Sequence, residues 1–390
     1  MRFILPVLIS LLVSNVSSAQ ITTLPFRFVD EKHVLLTIGV NEVDSLTFFF
    51  DTGATTSLID RNVAERIGVK ANYQHTVQGG GGNKTYDVAL LQTLTLTNNI
   101  TIDSVNLVLD DLTRLRSVLG ENFDGIVGYS IVNAFITELD FDKRVMRLRP
   151  KTKLPDTTGY TRIPFEFANG IQIPQFEATL ELSNRKQFTG KILFDSGAGL
   201  TLLVNTPFAE QHKLLEQSGK FVTTKRNNLS VESVTREVAA NAISFGGFVF
   251  RDLPVGLASD KEGVSAFPGY LGLLGSDIIA RFNFILDYDA KMLYLKPNSL
   301  FTKPFQFPVS GVLLVQKQDG VYVSAVAEES EAHKQRLFSG DKIISINGIK
   351  NGSITDYRKA LEQEGKAVRL TVQTDDGPAR DIKLNLKRLL

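Results

Sequence analysis

The chain has 390 residues, enough for two or three domains, with 43% hydrophobic and 22% charged residues, an ordinary globular balance. Its 43 Lys and Arg against 42 Asp and Glu give a formal charge of +1 without a long basic run, which argues against nucleic acid as a partner. There is no cysteine, so neither a disulfide framework nor a thiol-linked lipid anchor can form.

At the start, Arg2 precedes an apolar run from Phe3 to Val13, and Ser17 and Ala19 stand at A-x-A-like positions before Gln20. This is the layout of a secretory signal peptide over residues 1–19, cleaved after Ala19. The competing reading, an uncleaved anchor, calls for ~20 apolar residues, and the run is shorter. The expectation is an exported protein, periplasmic or secreted, with no membrane span after cleavage. Export without disulfides suits a bacterial envelope protein, since disulfides are common rather than obligatory in oxidising compartments.

Beyond the leader, short alternating or apolar runs bounded by Gly, Asn and Asp, such as HVLLTIGV (33–40), LTLTNNITI (94–102), ISFGGFVF (243–250) and LDYDAKMLYL (286–295), predict strands and hairpins. Helical patterns are few, the best being DRNVAERIG from Asp60 and NTPFAEQHKLL from Asn205. In FFFDTGATTSLID (48–60), Asp51 follows three phenylalanines. A carboxylate beside apolar neighbours is costly unless hydrogen bonds or function compensate it, so Asp51 either faces water at a strand end or is held there for chemistry.

A repeat decides between the two. KILFDSGAGLTLLV (191–204) is the same motif, with Asp195 placed 144 residues after Asp51. LPFRF (24–28) and IPFEF (163–167) precede the two copies. Downstream, GIVGYSIVNAFITELDFDKRVMRLRP from Gly125 aligns without gaps on GLLGSDIIARFNFILDYDAKMLYLKP from Gly272. Order kept at three places implies two homologous, mainly β lobes, residues 20–155 and 156–300.

The doubled D-[ST]-G-A motif, each followed by a hydrophobic-hydrophobic-Gly element (IVG at 126–128, LLG at 273–275), resembles the pepsin and retropepsin clan of aspartic proteases, over both lobes. The resemblance implies a pepsin-like bilobal β-barrel architecture with Asp51 and Asp195 as the catalytic pair. Two carboxylates brought together across a pseudo-twofold axis cannot both ionise cheaply, so one keeps a proton as acid while the other acts as base on a water between them. Gly53 and Gly197 allow a tight turn and close approach and offer N–H groups to the carboxylates. Thr52 and Ser196, by resemblance, hydrogen-bond across to the opposite strand and lock the loops together. The run QGGGGNKTYD (78–87), with Gly79, Gly80, Gly81 and Gly82, lies where this clan carries a mobile hairpin flap; Tyr73 and Tyr86 flank it, and neither is singled out as a flap tyrosine.

Other chemistries find little support. His33, His75, His212 and His333 have no metal-ligand spacing, and no nucleophile-elbow sequence is present. Asp140/Asp142 and Asp287/Asp289 stand in DFDKR and DYDAK, where hairpin-turn chemistry accounts for them. No metal or organic cofactor is expected, and one chain supplies both half-sites, so a monomer suffices.

Residues 301–390 break the repeat and resemble a PDZ domain, most specifically in SGDKIISINGI (339–349). SGVLL (310–314) stands in place of the carboxylate-binding loop, putting Gly311, Val312, Leu313 and Leu314 in the peptide groove. Ser353 followed by Asp356 is a capping box for a helix from Ile354 to about Glu364, the far wall of that groove. The loop lacks the bulky residue plus Gly-Phe ending, and EAHKQRLFSGD replaces the usual small-residue segment, which leaves the ligand open. The groove captures the terminus of a substrate or partner peptide as an added strand, or the domain docks on the lobes, or it only stabilises the protein. The sequence thus predicts an exported aspartic endopeptidase acting on polypeptides, against two rivals: an inactive protease-like peptide receptor and an envelope scaffold.

Overall fold

The computed structural model describes residues 22–79, 82–96, 100–168, 170–227, 232–375 and 377–390. The expected leader at 1–19 lies outside the described residues, as do Gly80 and Gly81 of the glycine run. No helix among the described residues is long and apolar enough to cross a membrane.

The protein is mainly β. At its middle, Thr161–Pro164, Met292–Pro297, Phe282–Asp287, Ile136–Asp140, Val145–Arg149 and Thr22–Val29 lie side by side in that order, all antiparallel. The two central strands pair with Glu138 opposite Ile285, and these residues are counterparts in the repeat. A pseudo-twofold axis therefore passes between them. Leu139, Met146, Leu148, Phe284 and Leu286 from these strands join a hydrophobic core shared by both lobes. The axis is thus fixed by apolar burial at about 25 cal/mol per Å² as well as by the strand ladder.

Each lobe repeats one arrangement around its aspartate. Val43–Phe50 runs parallel to Gly125–Val127 with Phe48 opposite Gly125, and Gln187–Phe194 runs parallel to Gly272–Leu274 with Ile192 opposite Gly272. Phe48 and Phe50 enter the main core, while Phe49 points the other way into a second cluster with Leu35, Leu112, Phe123 and Ile126. Both faces are covered at the end of the strand, so Phe48–Phe50 read as an apolar run rather than an alternation.

The first predicted helix spans Arg61–Arg66, capped by the Asp60 carboxylate, which accepts from the N–H groups of Asn62 at 3.1 Å and Val63 at 3.3 Å. The second divides into Thr206–Gln211 and Leu214–Ser218, because Lys213 between them takes a left-handed φ of 50°. Helices Thr113–Leu119, Tyr129–Ala134 and Ser276–Ile279 had no counterpart in the sequence reading; each is at most seven residues long, too short to show a 3.6-residue period. The first member of each acidic pair serves a turn, Asp140 accepting from Lys143 N–H and Asp287 from Ala290 N–H, both at 3.0 Å, while Asp142 accepts from Asn283 Nδ2 and Ser299 N–H and Asp289 pairs with Lys151.

The C-terminal sheet has the order Val312–Lys317, Gly320–Val326, Lys342–Ile346, Ala367–Gln373, Arg380–Asn385, with Ile349–Lys350 beside the third strand. Its core gathers Leu314, Val323, Ile346, Leu370 and Leu384 under helix Ile354–Leu361. The capping box forms, with Ser353 accepting from Asp356 N–H and Asp356 accepting from Ser353 N–H. The helix stops at Leu361 instead of Glu364: Leu361 is its last core residue, Gln363 and Glu364 are exposed, and Gly365 turns left-handed at φ 78°. Phe301 and Phe305 still pack against the core of the lobes, and Val309 is the first residue in the C-terminal core. Packing therefore changes hands between Phe305 and Val309.

Candidate active site

Asp51 and Asp195 each end a strand, and each backbone N–H continues the pairing one residue further, to Val127 O at 2.9 Å and Leu274 O at 3.0 Å. The chain then turns back on itself. Gly53 N–H donates to Asp51 Oδ1 at 2.7 Å; Gly197 N–H and Ala198 N–H donate to Asp195 Oδ1 at 2.9 and 3.1 Å. The two loops meet so that each glycine packs on the opposite carboxylate. A Cβ built on Gly53 would lie 2.6 Å from Asp195 Cγ, and one on Gly197 2.3 Å from Asp51 Cγ. Neither glycine has a positive φ, so close approach alone, without turn strain, accounts for them.

The cross-lock expected of Thr52 and Ser196 is present and buried. Thr52 Oγ1 donates to Phe194 O at 2.8 Å and accepts from Ser196 N–H at 2.9 Å, while Thr52 N–H donates to Ser196 Oγ at 3.0 Å. Thr52→Ala strands a buried carbonyl and a buried N–H, each costing roughly 1–3 kcal/mol, whereas Ser196→Ala removes one acceptor. We expect urea unfolding to give roughly 2–4 kcal/mol for Thr52→Ala, clearly more than for Ser196→Ala, with Thr52→Ser close to the native protein. Equal losses for the two alanine variants would contradict the lock.

The glycines of the hydrophobic-hydrophobic-Gly elements sit under the loops. A Cβ on Gly128 would fall 1.7 Å from Asp51 O, and one on Gly275 2.2 Å from Leu200 O. Just beyond them, Tyr129 N–H donates to Ala54 O and Ser276 N–H to Ala198 O. These are counterpart bonds in the two lobes, and they hold each aspartate loop on its own sheet.

The carboxyl groups of Asp51 and Asp195 lie within hydrogen-bonding reach of each other, and both residues are half-buried. Burial pushes Asp51 above the ordinary carboxylate range, opposed by a hydrogen bond from Asp195 and by the N–H groups of Gly53, Gly197 and Ala54. Burial and the charge of Asp51 push Asp195 up much further. Two carboxyls this close do not both ionise cheaply, so the first ionisation leaves one proton held by the pair as a unit. No group of His, Asp or Glu that could hold a metal ion occurs among the described residues.

Gly79 and Gly82 belong to a hairpin of strands Tyr73–Gly79 and Gly82–Thr95, in which they pair with each other. Tyr73 pairs with Val88 and Tyr86 with His75, so both tyrosines lie well down the hairpin from its tip. In the C-terminal sheet, Gly311 takes a left-handed φ of 67° before the edge strand that carries Val312 and Leu313, both half-buried. Leu314 differs: its side chain is in the core and only its backbone faces the groove.

Two buried groups stand out that the sequence did not mark as belonging near the site. His33 is buried, with its ring tilted against Phe49 at 5.1 Å, and its Nε2 would lie 3.0 Å from a Cβ on Gly199. Burial, then Lys32 and Arg358, push it down to about 3, so it stays neutral at working pH. Tyr288 is buried among Phe165, Phe167 and Tyr129, and its hydroxyl has no hydrogen-bond partner among the described residues. Burial, and then the charges of Tyr129 and Asp51, raise its phenol far above the usual range. The repeat carries the signal that marks it: Tyr288 stands where Phe141 stands in the first lobe.

Comparison with known families follows the same division of the chain. Residues 36–131 match the family described as aspartyl protease, and residues 322–374 match the PDZ domain family. No curated protein matches the chain. The first match ends at Ile131, so the likeness of the Asp195 lobe rests on the internal repeat and on the geometry above.

Proposed function

We propose that this chain, which carries an aspartyl protease domain and a C-terminal PDZ domain, is an endopeptidase that hydrolyses peptide bonds with a water held between Asp51 and Asp195. The observation that carries the reading is the pair itself: two carboxyls within hydrogen-bonding reach, on loops cross-locked by Thr52 and Ser196, both pushed above the ordinary carboxylate range by burial. Ionised Asp51 takes a proton from the water as its oxygen attacks the peptide carbonyl carbon, and Asp195 gives its proton to the carbonyl oxygen. The tetrahedral diol then collapses: the C–N bond breaks, the nitrogen takes the proton held on Asp51, and a hydroxyl proton returns to Asp195. The products are a carboxylic acid and an amine, and the pair is restored. The hairpin Tyr73–Gly79/Gly82–Thr95 is the flap that closes over an extended peptide, with the Gly79–Gly82 pair at the end of its described strands. The protein is exported by the leader at residues 1–19, is periplasmic or secreted, and works as a monomer without a cofactor.

The test is cleavage of a peptide library by the purified protein, followed by kcat/KM against pH on the best substrate. Activity needs the singly protonated pair, so the acid limb follows the first ionisation and the alkaline limb the second. Both are raised here, which moves the bell upward. The expected optimum is mildly acidic, roughly pH 4 to 6.5. Ala54 and Ala198 place no hydroxyl after the glycines, as in retropepsins; Ala54→Ser adds a donor to the ionised form and shifts the acid limb lower. An optimum near pH 2, or an upward shift in the serine variant, contradicts the mechanism, and failure to cleave any library member contradicts the function.

A further inference from the structure

A PDZ groove runs between an edge strand and a helix, here Val312–Lys317 and Ile354–Leu361. In this chain the middle of that groove is filled. Helix Thr113–Leu119 of the first lobe lies against the edge strand. Gly120, the left-handed residue ending that helix, is so close to the groove helix that a Cβ on it would fall 2.2 Å from Ile354 Cγ2. Arg358 projects from the groove helix and donates to the carbonyls of Val118 and Leu119, the latter at 3.4 Å, and to Leu314 O at 3.2 Å. The last carbonyls of a helix lack intrahelical donors, and a cation there also meets the negative end of the helix dipole. Leu314 O lies on the edge strand, where an added peptide would seek its hydrogen bonds, and Arg358 has claimed it.

What remains of the groove is its two ends. A cavity of about 340 Å³ lies at the Ser310–Leu313 end, bounded across from it by Lys32 and Gly199. Another of about 570 Å³ lies beside Gln316 and Ser353–Thr355, bounded by Phe28 and Gly120. Both are open to solvent and lined in part by residues of the lobes. The occupying helix is in turn joined to the aspartate loop. Leu115 and Leu119 pack on the cluster of Phe49, Leu112 and Phe123 that Ala54 also joins. Arg116 pairs with buried Asp60 at 3.0 Å and donates to Phe123 O at 2.7 Å.

We propose that the partner of the PDZ groove is helix Thr113–Leu119 of the same chain, and that this docking holds the Asp51 loop in its working position. Addition of a peptide strand to Val312–Lys317 then requires the helix to leave. The effect on turnover rests on the peptidase reading, while the docking itself does not.

The chain has no cysteine, so Gly120→Cys with Ile354→Cys supplies its only thiols. A Cβ on Gly120 lies 3.6 Å from Ile354 Cβ, inside the disulfide range of about 3.5–4.5 Å. Mild oxidation of the full-length double variant should close the bond in nearly all molecules, read as a two-proton mass loss, and the oxidised protein should cleave short peptides at least as well as its reduced form. The reduced form is the control for side-chain strain at φ 71°. Arg358→Ala should speed hydrogen exchange in Val312–Lys317 and Val118–Gly120 together and lower kcat/KM on short peptides by roughly 2- to 30-fold. Adding the closed disulfide to that variant should restore both. A folded double variant that does not cross-link overturns the docking. Faster exchange in Arg358→Ala with unchanged turnover, or an oxidised form active only after reduction, overturns the supporting role. If no form cleaves any peptide, the peptidase reading and the supporting role fail, while cross-linking and exchange still decide the docking.

Discussion

On the proposed mechanism, Asp51→Asn and Asp195→Asn should each abolish peptide cleavage in a protein that still folds. Asparagine keeps the shape of the side chain, and at position 51 its carbonyl oxygen still accepts from Gly53 N–H, so the loops and the Thr52–Ser196 lock remain. At position 51 the change removes the base; at position 195 it removes the acid, since an amide can donate a hydrogen bond to Asp51 but cannot deliver the proton. Each loss is worth roughly 10²–10⁴-fold or more in kcat/KM. Stability moves the other way for Asp195. Its folded pKa lies well above the ordinary value, so the folded protein binds more protons than the unfolded chain above about pH 4, and native stability falls as pH rises towards the folded pKa. Asp195→Asn lacks this slope. It should be more stable than the native protein near neutrality, with the difference fading below about pH 4, as urea unfolding at several pH values will show. Near-native turnover in either variant, or an Asp195→Asn protein less stable at pH 7 than at pH 4 by as much as the native one, would refute the shared proton.

Much of this site was legible because it occurs twice. A single D-T-G is a short string with many structural uses, but Asp51 and Asp195 recur with their apolar strands and with Gly128 and Gly275 downstream, and the register pairs Phe48 with Gly125 as Ile192 with Gly272. Duplication converts local patterns into a statement about an axis. The same reasoning is blind to what is not duplicated. His33, Tyr288 and the Arg358 contact come from segments far apart in the chain and carry no period, motif or charge run, so only the fold sets His33 against Phe49, Tyr288 near Asp51 and Arg358 on the carbonyls of Val118 and Leu119. Helix Thr113–Leu119 was missed because it has only seven residues, and its meaning depends on a domain more than 190 residues further on. The groove residues were half legible: Gly311 to Leu314 are placed as the motif implies, but strand alternation buries the Leu314 side chain, and occupation of the groove by the first lobe leaves no local trace.

Gly53→Ala and Gly197→Ala should cost nearly as much activity as loss of a carboxylate, although each adds one methyl group and changes no charge. The methyl would stand 2.6 Å from Asp195 Cγ in the first case and 2.3 Å from Asp51 Cγ in the second, closer than carbon atoms can come. Neither glycine has a positive φ, so the backbone accepts alanine and the effect is steric. The loops cannot part freely, because Thr52 and Ser196 tie them at the adjacent residue, so the displaced group is the opposite carboxylate. Overpacking of this kind costs about 1–3 kcal/mol of stability, which a folded domain of this size tolerates. Displacing a reacting group by about 1 Å costs on the order of 10²-fold in rate, and it should fall on kcat more than on KM. Gly197→Ala, with the closer contact, should be the worse of the two. Moving the carboxyls apart also weakens their coupling, so the two ionisations draw together and the residual pH profile narrows. The measurement is kcat, KM and pH profile for both variants beside circular dichroism for folding; a folded Gly197→Ala protein with native kcat and an unchanged bell would show that the carboxyls are not held in contact.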